Sequence, residues 1–400
     1  MCSHSFPLVS RDDIFEAILV EQEEVGYYHL PDAPIEDILA FASKDTHAEI
    51  VVVGVGGSSL GTKAVYRFLK DATQGLKELH FLESTDPVSL LANIARIDLP
   101  NALFVVISKS GHTTETLSIY KYLLSLQTIE KTSLVVVTDE GSPLHKHALS
   151  ENIRTFHLPS NVGGRFSVLS SVGLLPLALA GVDIHALLTG ARAVKDAFFG
   201  DISVRNALIA KAVFYGQNHT RYTINTLFSY ADGLKYLNEW YIQLWGESLG
   251  KIHPTRGNIG LTPIGIIGPV DQHSFLQLVV EGPRDKTMTF LQIRDFGTPV
   301  VVPDISLKHL ESLDIFNTLP FGQLINLQAE AIIEQLSLLG IPLDTLELAR
   351  IDPENIGALI FYFELLTSLV AQVLEVSPYD QPGVEDGKKI LKQKVMAMHK

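Results

Sequence analysis

Six short segments carry side chains of the kinds that bind anions or move protons. In GVGGSSLG (54–61) an apolar run ends in glycines and leads into a helical pattern, so backbone N–H groups and a positive helix end around Gly57 and Ser58 would face an anion. A tight strand-to-helix turn explains the same residues. The segment departs from two nucleotide fingerprints, since a dinucleotide loop needs glycine at Ser59 and a P-loop needs Gly-Lys-Ser/Thr where Gly61, Thr62 and Lys63 stand. SKSGHTTET (108–116) sets Ser108, Ser110, Thr113, Thr114 and Thr116 around Lys109 at a helix start. One hydroxyl is enough to cap a helix, so this density favours phosphate, whose oxygens accept from small donors without crowding. In NVGGRFSVLSSVG (161–173) paired glycines allow close backbone approach and set Arg165 where a guanidinium can stabilise an oxyanion, although a single arginine is more often a surface ion-pair partner.

QLWGESLGK (243–251) spaces Gln243, Glu247 and Lys251 by four, on one helix face. Glu247 lies among Leu244, Trp245 and Gly246, a setting that can desolvate a carboxylate and make it a useful base. A surface Glu247–Lys251 pair accounts for the spacing equally well, and the residues alone do not decide. PVDQHSFLQLVVEGP (269–283) places His273 at a strand-to-helix turn, and PYDQPGVEDGK (378–388) carries Gln381 in a turn-rich run leading to Lys388. His145 and His147 flank Lys146 without a convincing third ligand, so no metal is assigned.

Positioning these segments requires an α/β framework. From about residue 50, short β-branched runs alternate with stretches of helical period, the pattern of βαβ units and a largely parallel sheet. Strands are expected at 50–55, 78–83, 102–108, 133–138 and 153–158, with helices at 62–70, 114–126 and 167–181. This doubly wound arrangement puts a ligand at the carboxyl ends of the strands. The second half repeats the theme, with strands near 221–230, 262–268, 286–294 and 344–351 and helices near 236–248, 273–281, 323–340 and 358–374. The economical division is an N-terminal arm (1–45), a first α/β domain (46–200), a second (201–376) and a C-terminal segment (377–400) carrying Lys388. That segment reads as a basic helical tail, with Lys388, Lys389, Lys392, Lys394 and Lys400.

The chain has 400 residues, enough for two or three domains, and its 31 Lys and Arg against 45 Asp and Glu leave a net charge of −14. That balance repels nucleic acid and anionic membrane surfaces, so an anionic ligand needs a local positive pocket. The single cysteine, Cys2, has no internal disulfide partner, which fits a reducing compartment such as the cytoplasm. Arg11, Asp12 and Asp13 interrupt any export signal in the first residues. The apolar run 358–374 is shorter than the ~20 residues of a membrane span and contains Glu364, so it reads as a buried core helix.

Taken in order, the six segments resemble the successive motifs of the glucose-6-phosphate isomerase (phosphoglucose isomerase) family in its short bacterial-type form, over about residues 50–390. NVGGRFSVLSSVG and YDQPGVEDGK are the most specific of them. The resemblance implies two sugar-isomerase (SIS) type doubly wound α/β sandwich domains and a homodimer with shared active sites. It also implies sugar-phosphate substrates, no metal or organic cofactor, and no nucleic-acid or membrane partner. By motif position it implies a phosphate loop of Ser108, Ser110, Thr113 and the backbone of Lys109, with Gly57, Ser58, Gln243 and Gln381 at the sugar. It implies that Glu247 moves a proton between C2 and C1 through a cis-enediol whose charge Arg165 stabilises. His273, reaching in from the partner subunit, and Lys388 would assist ring opening. Gly111 and His112 depart from the bulkier or hydroxylated residues of longer members.

Two rival readings are weaker. A dehydrogenase would account for the strand-glycine-helix start and for Glu83 at the end of the next strand, but the third glycine is missing. A catalytically silent sugar-phosphate binder would keep the hydroxyl nest and could dispense with Glu247, Arg165, His273 and Lys388, all of which are present.

Overall fold

The computed structural model describes residues 2–3, 6–7, 11–126 and 129–398. The chain opens with β1 (Cys2–Ser3), α1 (Asp12–Glu24) and α2 (Glu36–Ala42). A strict alternation follows: β2 (Glu49–Val53), α3 (Leu60–Lys70), β3 (Glu78–Leu82), α4 (Pro87–Ile94), β4 (Ala102–Ile107), α5 (Thr114–Ser125), β5 (Leu134–Val137), α6 (Pro143–Glu151) and β6 (Arg154–Phe156). These strands form one parallel sheet in the order β3-β2-β4-β5-β6.

Three helices, α7 (Ser171–Leu179), α8 (Ile184–Gly200) and α9 (Ile202–Gln217), lead into the second half. There the chain runs through β7 (Ile224–Ser229), α10 (Lys235–Leu249), the hairpin β8 (Lys251–His253) and β9 (Gly257–Ile259), then β10 (Thr262–Ile267), α11 (Leu276–Glu281) and β11 (Lys286–Asp295). It closes with α12 (Phe321–Leu338), β12 (Leu343–Arg350), α13 (Pro353–Leu374) and α14 (Glu385–Met398). The second sheet has the order β1-β12-β11-β7-β10, parallel except for β1, which pairs antiparallel with β12.

Helices cover both faces of each sheet, which is why the central strands β2, β4 and β5 of the first sheet are continuously apolar instead of alternating. Successive residues of β2 and β4 divide between two layers. Val51, Val53, Phe104 and Val106 pack with Ile119, Leu123 and Leu144 of α5 and α6. Val52, Leu103 and Val105 join a larger cluster shared with Val65, Leu174, Leu187, Ile209, Trp240 and Leu365, and that cluster also takes in Leu291 and Leu346 of the second sheet. A single central layer of helices therefore lies between the two sheets. On the far side of the second sheet, Phe228, Met288 and Phe290 pack on Val279, Ala329 and Leu336 of α11 and α12. The first 45 residues contribute Ile14, Ile18, Tyr27, Tyr28 and Ile38 to the central cluster.

Local capping chemistry moves several boundaries. The helix expected from residue 167 begins at Ser171, because the Ser170 hydroxyl accepts from the Val172 N–H at 3.2 Å and residues 164–166 form a separate turn. Arg165 is thereby left in a loop. Helices α4 and α6 escape the apolar pattern because they are short and partly polar, yet each starts with proline after a capping residue, Asp86 or Ser142. Helix α13 begins at Pro353, earlier than expected, where Asp352 accepts from the Asn355 N–H at 2.7 Å. Among the described residues it is the one helix long and apolar enough to cross a membrane, and 78% of its most apolar stretch is buried inside the protein. The basic tail forms α14, which has no buried residue; Lys400 lies outside the described residues.

Glu364, mid-way along α13, is fully buried, and among the described residues neither of its carboxyl oxygens has a hydrogen-bond partner. Burial pushes its pKa well above the ordinary glutamate value. The native state then keeps a proton that the unfolded chain releases, so stability falls as pH rises above the unfolded value of about 4.3. Glu364→Gln removes this linkage. In urea unfolding at about pH 5 and about pH 8, the wild type should lose more stability across the interval than the variant. Equal losses would show that Glu364 ionises normally.

Candidate active site

The two motifs richest in anion-binding groups follow β2 and β4, neighbouring parallel strands from which the chain winds in opposite directions. That crevice at the carboxyl ends is where doubly wound sheets bind ligands. Gly56 has φ +62°, a left-handed conformation that favours glycine, and the Gln243 Nε2 lies 2.9 Å from where a side chain would start. A Cβ on Gly57 would sit 2.5 Å from the Gly164 carbonyl and 2.9 Å from the Arg165 nitrogen, so the glycine loop packs directly on the backbone that carries Arg165. Ser58, beside it, is partly exposed.

After β4, Ser108 is fully buried and shares a hydrogen bond of 2.9 Å with the Thr113 hydroxyl. The Ser110 hydroxyl accepts from the His112 N–H at 3.3 Å. Thr113 stands at the N-cap of α5 without capping it through its side chain, so this hydroxyl cluster does not serve merely to terminate the helix. Lys109 turns its ammonium away from the nest, to the Ser160 carbonyl at 3.2 Å and Asp139 at 3.3 Å, leaving its backbone in the loop.

Arg165 is the centre of the second group. Its side chain is 2% exposed, and its Nε donates to the Ser248 hydroxyl at 2.8 Å. Nη1 reaches Gln381 Oε1 at 2.9 Å and Glu247 Oε2 at 3.5 Å. Nη2 donates to the Pro378 carbonyl and, at 3.0 Å, to the Asp380 carbonyl. Five acceptors thus meet the five N–H donors of a guanidinium. Burial lowers the Arg165 pKa while Glu247 and Asp380 pull it back up, and arginine remains a cation. Glu247 receives a further hydrogen bond from Gln243 Nε2 at 3.1 Å and is 34% exposed, at the wall of a cleft of about 730 Å³ that Gln381 also lines.

The fold therefore brings Arg165, Glu247, Gln243 and Gln381 together, with Gly57 beneath them and the hydroxyl nest one strand away. It does not bring His273 or Lys388 to them within the chain. His273 is exposed on the turn after β10, and Lys388 is an exposed residue of α14 paired with Glu385 at 2.7 Å. The surface pair between Glu247 and Lys251 does not form, since Lys251 bonds to Asp380 at 2.8 Å. The carbonyls of Pro378 and Asp380 leave no residue-type signal in the sequence because they are backbone acceptors, and Ser248, which accepts through its hydroxyl, is one serine among many. His145 and His147 have other partners, the Gly141 N–H at 2.8 Å and the Tyr120 hydroxyl at 3.3 Å.

The family model that describes phosphoglucose isomerase matches residues 40–306. The chain belongs to the phosphoglucose isomerase family. It is 42% identical over 382 residues to a glucose-6-phosphate isomerase of Campylobacter jejuni, covering 93% of this chain and 92% of that protein. Among solved structures, a hypothetical protein from Thermus thermophilus superposes with TM-score 0.89 at 30% identity, covering 96% of this chain and 94% of that one. A glucose-6-phosphate isomerase from Chlamydia trachomatis shares the fold with TM-score 0.77 at 24% identity, over 96% of this chain and 75% of that one. The phosphoglucose isomerase fold here is thus two sugar-isomerase-type doubly wound α/β sandwiches around a shared helical layer.

Proposed function

We propose the following division of labour in the reversible isomerisation of glucose 6-phosphate and fructose 6-phosphate, the reaction of this aldose-ketose isomerase. The substrate phosphate sits in the nest of Ser108, Ser110, Thr113 and the Lys109 backbone, where small donors and the N-terminus of α5 favour a dianion. Gly57, Ser58, Gln243 and Gln381 hold the sugar chain between that nest and Arg165.

Glu247 takes the proton from C2 of the open aldose and returns it to C1, passing through a cis-enediol; the reverse transfer starts from the ketose. Negative charge then develops on the substrate oxygens, and Arg165 is pre-oriented to meet it without rearranging. The observation that carries this reading is the placing of a partly exposed carboxylate 3.5 Å from a saturated, buried guanidinium at the wall of an open cleft. Glu247→Gln keeps the shape and cannot accept the proton. Turnover should fall by about 10²–10⁴-fold with folding and sugar-phosphate affinity retained, as read by a coupled assay and by calorimetric titration. Turnover near the wild-type rate would remove Glu247 from the chemistry.

Ring opening falls to His273 and Lys388, which move protons between the ring oxygen and the hydroxyl. The exposure of His273 is what a residue contributed to a neighbouring subunit requires, and this supports a homodimer with shared sites. A homodimer acting on phosphorylated hexoses belongs in the cytoplasm, where those hexoses are made and used, and its net charge of −14 disfavours nucleic-acid and anionic membrane partners. Mixing His273→Ala subunits with Glu247→Gln subunits should restore activity to about a quarter of wild type in an equilibrated mixture, because half the dimers are mixed and each has one intact site. Mixed dimers that stay as inactive as their parents would show that His273 serves its own subunit.

A further inference from the structure

The reaction leaves Lys251 without a role, although it opens β8 only four residues beyond Glu247, just past the end of α10. Its side chain is only 8% exposed, an unusual setting for a lysine that follows the end of a helix. The ammonium donates to the Asp380 carboxylate at 2.8 Å and also to the Asp380 carbonyl. That same carbonyl accepts from Arg165 Nη2 at 3.0 Å, so a single oxygen lies between the two cations. The residue on its C-terminal side, Gln381, accepts from Arg165 Nη1, and two residues earlier the Pro378 carbonyl takes the other Nη2 proton. Residues 378–381 are thus the cradle of the guanidinium.

The turn is held from two directions. The Tyr379 hydroxyl is bonded to Ser368 at 2.8 Å and to Glu21, which fixes the ring on the side of the central helices. Neither bond reaches the carbonyl of Asp380, whose own side chain is 62% exposed. Lys251 is the group that ties this carbonyl to the end of α10, the helix carrying Gln243 and Glu247. We infer that Lys251 is a positioning residue, clasping the 378–381 turn so that Arg165 keeps its positive charge fixed beside Glu247, where the enediolate forms. The inference rests on the roles of Arg165 and Glu247 proposed above. Slackening of the turn would let the guanidinium drift from the place where charge develops, which weakens transition-state binding more than substrate binding.

The test compares Lys251→Met, which keeps the stem and removes the donors, with Lys251→Arg, which keeps a charged donor, in the full-length enzyme. Each is assayed for kcat and KM and for affinity towards two inhibitors. One is a phosphorylated aldonohydroxamate, planar and anionic like the enediolate; the other is a phosphorylated alditol, which offers only the phosphate and hydroxyls. For Lys251→Met, kcat should fall about 10- to 100-fold with KM within about twofold, and the hydroxamate should lose affinity while the alditol does not. Lys251→Arg should recover most of the loss. Asp380→Ala removes the carboxylate arm alone and should give a smaller loss of the same kind, which keeps the inference testable if Lys251→Met does not fold. Wild-type kcat in either truncation, or equal weakening of both inhibitors, overturns it. An Arg165→Lys control separates the two levels: if that variant retains wild-type kcat, the role given to Arg165 fails, whereas its loss alongside an unaffected Lys251→Met condemns the clasp alone.

Discussion

A guanidinium removed from water costs several kcal/mol unless its donors are met, and the acceptors of Arg165 come from positions 82 to 216 residues further along the chain. Glu247 and Ser248 arrive on α10, and Pro378, Asp380 and Gln381 arrive on the turn after α13. Satisfying them together demands that both helices be placed against the loop at 163–165. The central helical layer meets that demand. Its α13 is apolar nearly throughout and buried between the sheets, so the turn that follows it has little freedom. At the other end, the glycine loop comes so close to Gly164 and Arg165 that no side chain fits at Gly57.

A dry cation beside a wetter carboxylate is a useful asymmetry for proton transfer from carbon. Arg165 makes all its hydrogen bonds before substrate arrives, so little reorganisation accompanies the appearance of negative charge. Glu247 keeps a third of its surface open to the cleft, where a substrate carbon can approach. The hydroxyl nest stands apart, at the end of β4, and in the proposed reading an extended sugar phosphate spans the distance from it to Glu247. On that proposal, binding energy from the phosphate holds the reacting carbons near Glu247.

Much of this is legible in the sequence for identifiable reasons. Strands buried on both faces leave continuous β-branched runs, and that signal marks β2, β4 and β5. The helix-period spacing of Gln243 and Glu247 correctly puts them on one face, where they bond to each other. Lys251 shares the spacing but not the fate, because α10 ends at Leu249 and Lys251 opens β8, where its ammonium meets the carbonyl and carboxylate of Asp380. The start of α7 is harder to place because a chain of serines can continue a helix or cap it, and Ser170 caps. His273 and Lys388 stand out by motif, and the fold of one chain leaves both on the surface.

The central claim is that a carboxylate carries a proton between adjacent carbons of an open sugar. Proton NMR of the enzyme with fructose 6-phosphate in heavy water tests it most directly. An enediol route predicts glucose 6-phosphate with partial deuteration at C2, because a proton held on Glu247 exchanges with solvent in some turnovers and returns intact in others. Rapid conversion with hydrogen fully retained at C2, at every extent of reaction, would point to direct hydride transfer and contradict the account.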